Sequence, residues 1–126
     1  MNTPIIKWNV FSEACPTRAV LNRIADKWTV LVLIALAEET KRFSTLQREI
    51  GGISQKMLTQ TLRGLERDGM IIRTIYPTVP PKVEYQLTVL GKTLFGLVKE
   101  IRIWSETHIT EVTKAQIHYD ALHKLV

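Results

Sequence analysis

Cys15 is the only thiol in the chain of 126 residues. It stands directly before Pro16, a residue suited to the first position of a helix, and Arg18 follows within a turn. A helix N-terminus and a nearby cation both favour an anion, so a thiolate here would be stabilised and could react with electrophiles or oxidants. The same residue can serve as a small apolar side chain of the core, and the sequence leaves the two readings open. A single cysteine excludes an intrachain disulfide; oxidation could only link two subunits or form an adduct. His108, His118 and His123 have no second thiol and no carboxylate at ligand spacing, so no metal site is expected. GxGxxG and Walker patterns are absent, and no cofactor is expected. Without a supporting base or a resolving thiol beside Cys15, the chain does not read as an enzyme.

A second set of residues could bind rather than react. Ser54 caps an expected helix over 54–68, in which Leu58, Leu62 and Leu65 recur at helical spacing and face a core, with Met57 at the edge of that face. The opposite side carries Gln55, Lys56, Thr59, Gln60, Arg63 and Arg67, the residue types that bond base edges and phosphates. Gln60 and Arg63 are the candidates for base contact. Any solvated helix has a polar face, so the neighbourhood must decide. Residues 41–82 hold eight basic side chains (Lys41, Arg42, Arg48, Lys56, Arg63, Arg67, Arg73, Lys82) against three acidic ones (Glu49, Glu66, Asp68), an excess equal to the +5 of the whole chain. Residues 1–40 and 83–126 are each balanced. A basic excess confined to one segment is the footprint of a phosphate-binding surface.

The elements that must position these side chains are legible from caps and breakers. A first helix is expected from Pro16, with Ala19, Val20 and Ile24 on one side. Asp26 can cap a second, Lys27 to Glu38, apolar nearly all round and so central to the core. Arg42 and Phe43 read as a short extended piece. Ser44 and Gln47 then fit a capping box that opens a short helix ending at Gly51 and Gly52. With the helix from Ser54 this makes a helix-turn-helix, in which Ser44 joins the candidate DNA contacts. Met70–Ile75 and Val83–Leu87 are rich in strand formers, and the prolines of YPTVPPK belong in the hairpin tip between them, with Arg73 and Lys82 on its arms. Lys82 reads as a phosphate contact. Thr88 caps a long helix to about residue 118. Leu90, Leu94, Leu97, Ile101, Trp104 and His108 form one series on it. Phe95, Val98, Arg102, Ser105, Ile109 and Val112 form a second. One apolar stripe packs on its own domain; a second needs a partner subunit. Residues 1–14 read as an arm whose Trp8, Val10 and Phe11 dock on a surface. Trp8, Phe11, Leu94, Leu97, Ile101, Trp104 and His108 are therefore the candidate dimer contacts.

The order helix-turn-helix, hairpin, helix defines a mainly α chain with a small β-hairpin, a winged helix-turn-helix with a long C-terminal dimerisation helix. Its length suits a single domain over 1–126. The longest apolar run, Val30 to Ala37, is too short to cross a bilayer, and the N-terminus shows no signal peptide, so a cytoplasmic location is expected.

The stretches CPTRAVLNRIADKW and GGISQKMLTQTLRGLERDGMIIRTIYPTVPPKVEYQLTVLGK, with the long final helix, resemble the HxlR-type winged-helix transcription regulators, relatives of the MarR group. The resemblance spans about residues 13–107, and the motifs GIS, YPxVPPxVEY and LTxLG carry it. It implies a homodimer on near-palindromic double-stranded operators, usually a repressor and sometimes an activator. It implies that helix 54–68 reads the major groove while Arg73 to Lys82 touch backbone or minor groove. It also implies a response to electrophiles or oxidants through Cys15. Two alternatives stay open: a winged-helix module that binds protein, which should show an apolar or acidic face, and a ligand-responsive regulator in which Cys15 is structural.

Overall fold

Side-chain caps open three helices of the computed structural model, which describes residues 8–124. Met1–Lys7, the first half of the expected arm, lie outside the described residues. The elements are α1 (Thr17–Ile24), α2 (Lys27–Glu38), β1 (Lys41–Arg42), α3 (Phe43–Glu49), α4 (Gln55–Arg67), β2 (Ile71–Tyr76), β3 (Lys82–Leu87) and α5 (Val89–His123). Asp26 accepts from the Trp28 N–H (2.9 Å) at the start of α2, and Ser54 from the Met57 N–H (3.1 Å) at the start of α4. Thr88 accepts from the Gly91 N–H (3.0 Å) at the start of α5, while its own hydroxyl donates to the Gly69 carbonyl (2.6 Å). Each cap satisfies an amide the first helical turn leaves free.

The expected capping box at Ser44 and Gln47 is not formed. α3 begins at Phe43, two residues after the start of β1, and its N-cap position is Arg42, with no side-chain cap. The expected extended pair Arg42–Phe43 is shifted by one: Lys41 and Arg42 are the strand and Phe43 is helical. Two residues suffice because β1 pairs antiparallel with β3, Lys41 opposite Tyr85 and Arg42 opposite Glu84. The expected hairpin is thus a three-stranded sheet of order β1-β3-β2. The hairpin register runs from Ile71 opposite Leu87 to Tyr76 opposite Lys82, leaving Pro77–Pro81 as the tip.

α2 is the central helix. Val32, Leu33 and Leu36 are buried with Leu46, Leu58, Leu62, Leu65, Ile71, Leu87, Leu94 and Val98. Its far side is not covered: Leu31 is exposed, and with Leu21, Ile24, Val30 and Ile101 it lines an open apolar groove between α1, α2 and α5. Of the apolar positions expected to bury on α1, Ile24 packs against the core while Ala19 and Val20 are exposed.

α5 runs to His123, one turn and more beyond the expected end. Its buried residues are Gly91, Leu94 and Val98; Leu94 comes from one expected stripe, Val98 from the other and Gly91 from neither. Within the first series Leu94 alone is buried, with Leu90 before it and Leu97 after it exposed. Leu94 therefore belongs to the protomer's own core and leaves the set of candidate dimer contacts. Leu97, Ile101, Trp104, Ile109 and Val112 face outward. Gly91 is fixed by contact: a Cβ there would collide with the Met70 carbonyl, which already accepts from the Thr88 N–H (3.0 Å).

Candidate nucleic-acid interface

The turn between α3 and α4 is built on Gly52, at φ +82°, a left-handed conformation that a side chain disfavours. Ile53 follows, buried, so the chain enters α4 with its register fixed by the core. At the other end Gly69 takes φ +77°, and Arg23 of α1 crosses over Gly64 to meet the Asp68 carboxylate (2.8 Å). α4 is thereby held at both ends.

Between those anchors Leu58, Leu62 and Leu65 are buried and Met57 is half-buried, as the spacing predicts; Thr61, not foreseen on that face, is buried beside them. Gln55, Lys56, Gln60, Arg63 and Arg67 are exposed. Thr59 is half-buried and its hydroxyl donates to the Gln55 carbonyl (2.8 Å), which leaves it an acceptor. Ser44 is exposed in the first turn of α3.

The basic excess divides unevenly. Lys41 is not a surface cation: it is 5% exposed, and its ammonium meets Glu49 (2.6 Å) and Glu38 (3.6 Å). Burial alone would lower its pKa; the hydrogen bond and charge of Glu49, with Glu38 behind, outweigh that and raise it above the ordinary lysine value. Arg73 on β2 lies 3.4 Å from Glu66 of α4. Lys82 bonds Glu84 at 2.9 Å and rests over the Tyr76 ring at 5.1 Å, and its hydrogen bond holds the Glu84 carboxyl below its usual range. Among the described residues, Arg42, Arg48, Lys56, Arg63 and Arg67 are the cations of this segment with no carboxylate within ion-pair distance. Three of these five lie on α4. The wing tip carries no such charge and exposes Pro77, Val79, Pro80 and Pro81.

Cys15 lies apart from this surface. It is two residues ahead of α1, with Pro16 at the cap position, and it is 7% exposed. Its sulfur sits 2.9 Å from the Thr17 hydroxyl, and its N–H donates to the Ser12 carbonyl (3.1 Å). Arg18, expected to support a thiolate, instead donates to the carbonyls of Val10 (2.9 Å) and Phe11 (2.7 Å) and so ties down the arm. Trp8 and Phe11 on that arm are 59% and 86% exposed, undocked within the protomer. Among the described residues no cluster of histidine, cysteine and carboxylate could hold a metal, and no helix is long and apolar enough to cross a membrane.

A turn-linked helix pair, a three-stranded sheet with an extended hairpin and a long closing helix define a winged helix-turn-helix transcriptional regulator. The model of the HxlR-like helix-turn-helix family matches residues 23–113, and the chain belongs to that family. It is 50% identical over 104 residues to the uncharacterized HTH-type transcriptional regulator YtfH of Escherichia coli K12, covering 82% of each chain. The solved structure of the YtfH regulator of Salmonella typhimurium superposes with a TM-score of 0.82 at 44% identity, over 87% of this chain and 98% of that one. The redox regulator HypR in its oxidized form superposes with a TM-score of 0.68 at 41% identity, over 74% and 96%.

Proposed function

We propose that this protein is a homodimeric repressor that binds a near-palindromic DNA operator, with α4 in the major groove and the wing alongside it. The observation that carries the reading is the outward face of α4, where Lys56, Arg63 and Arg67 stand around Gln60 with no counter-ion among the described residues. Uncompensated cations release the condensed ions of a duplex, and glutamine can bond adenine in two places. An acidic or apolar face would favour a protein partner instead, and α4 shows neither. The exposed apolar residues of α5 (Leu97, Ile101, Trp104) and of the arm (Trp8, Phe11), with the groove between α1, α2 and α5, support pairing of two copies. His108, half-buried and stacked on Trp104 at 4.8 Å, joins that surface. Two-fold pairing sets half-sites about one turn, roughly 10 base pairs, apart or at multiples of it. The test is to select duplexes from a random pool with the purified protein and to weigh the protein by light scattering. A palindromic consensus and a dimer mass are expected, with Ile101→Glu giving monomers that no longer retain the consensus. A wild-type monomer, or an Ile101→Glu variant that stays dimeric, contradicts the assembly.

The signal belongs to the same reading. HypR is named a redox regulator, and Cys15 is the one thiol available to an oxidant or electrophile here. The thiol is buried, and its backbone closes the turn onto the Ser12 carbonyl, so on this reading the reagent reaches it when that turn opens. Diamide or a quinone should release wild-type protein from its operator, while Cys15→Ser binds normally and ignores the reagent. Release that persists in Cys15→Ser would place the signal elsewhere, as in a ligand-responsive regulator.

A further inference from the structure

Between α4 and the sheet lies a cavity of about 100 Å³, with Phe43 and Leu62 as its floor and Arg63, Glu66, Arg73 and Tyr85 as its polar lining. Four elements converge there, with Phe43 from α3. α4 supplies Arg63 and Glu66, β2 supplies Arg73, and β3 supplies Tyr85, the direct register partner of Arg73. The niche holds two guanidinium groups and one carboxylate, which pairs with Arg73 alone, so it keeps a net positive charge. The resident pair is loose: Glu66 and Arg73 are 3.4 Å apart and both partly exposed, against 2.6 Å for the Lys41–Glu49 pair. Such a pair contributes little and exchanges readily for another anion. Burial raises the Tyr85 phenol above its ordinary value, against the opposing pull of the Arg73 and Arg63 charges that face it, so its hydroxyl stays a donor. The volume holds a few waters, roughly 30 Å³ each, which admits a phosphate group and excludes a base.

We propose that this niche seats one backbone phosphodiester of the operator, gripped by Arg73, Arg63 and the Tyr85 hydroxyl, with Glu66 as the resident counter-ion that the phosphate displaces. The inference rests on the reading that α4 faces DNA, and it moves Arg63 from base contact to phosphate contact. Two forks on one phosphate fix the register of α4 along the duplex, as backbone contacts do, while leaving base choice to Gln60 and its neighbours. Glu66 then tunes affinity for all DNA without touching sequence preference.

The test uses the full-length protein and the selected duplex carrying a single uncharged methylphosphonate, scanned along each strand. Wild type should lose affinity on the order of tenfold at one phosphate per half-site, beyond the smaller losses elsewhere. In Arg73→Ala that substitution should lose most of its cost, the remainder belonging to Arg63 and Tyr85, while the others keep theirs. Glu66→Gln should tighten binding to selected and random duplexes alike, and the gain should vanish on the duplex neutralised at that phosphate. If every methylphosphonate costs Arg73→Ala what it costs wild type, or if the Glu66→Gln gain survives on all neutralised duplexes, the niche is no phosphate seat even though operator binding stands. A wild type with no preference for any duplex overturns the α4 reading and the niche together. Tyr85→Phe keeps the packed ring and removes only the hydroxyl. It should melt with wild type and lose part of the coupling to the same phosphate; undiminished coupling overturns the part given to the hydroxyl.

Discussion

The outward face of α4 and the wing carry similar residues in the sequence and differ in the fold. On α4, Lys56, Arg63 and Arg67 have no carboxylate within ion-pair distance among the described residues. On the wing, Arg73 faces Glu66, and Lys82 is bonded by Glu84 and capped by the Tyr76 ring. A basic side chain adds to long-range attraction for a polyanion only to the extent that no neighbour has already neutralised it. A charge count over residues 41–82 therefore overstates the wing and understates the helix. On the proposed reading electrostatic steering falls to α4, while the wing tip, with Pro77, Val79, Pro80 and Pro81 exposed, offers shape and apolar contact.

The contrast can be broken first on the helix. Replacing Lys56 and Arg67 together by alanine should weaken binding to operator and random DNA alike, on the order of a hundred-fold at moderate salt, and lower the log–log salt slope by about two. An unchanged slope would mean that these side chains never reach the phosphates. The wing gives the smaller effect. Lys82→Ala should change affinity for either DNA by less than about 0.5 kcal/mol, because its charge is already balanced by Glu84. A loss as large as that of the α4 variant would show that DNA breaks the Lys82–Glu84 pair, and the contrast would then fail.

Local signals explain what was legible. Asp26, Ser54 and Thr88 announce α2, α4 and α5 because a cap and the amide it satisfies lie within three residues of each other. The face of α4 was legible for the same reason, its period being set by the helix alone. Ser44 and Gln47 show the limit. The motif is present, but β1 pairs with β3 and its end at Arg42 fixes the start of α3, so a contact more than forty residues away in sequence overrides a local one. A two-residue strand has no periodicity to detect. Lys41 looked like surface charge because nothing local reveals that Glu49, eight residues on, folds back over it. Leu94 was read with the outward stripe because a 3.5-residue series cannot say where along α5 the core ends. The niche at Arg73 and Tyr85 depends on strand register against a helix, and no spacing in the chain encodes it.

On the proposed reading α4 chooses the sequence. The most direct measurement is a competition titration of wild type and Gln60→Ala against the selected operator and a scrambled duplex at one salt concentration. Gln60→Ala should lose about 1–3 kcal/mol on the operator and almost nothing on the scrambled duplex, so that discrimination collapses while general affinity remains. Equal affinities of wild type and Gln60→Ala for the operator, with discrimination intact, would contradict it and remove α4 as the reader.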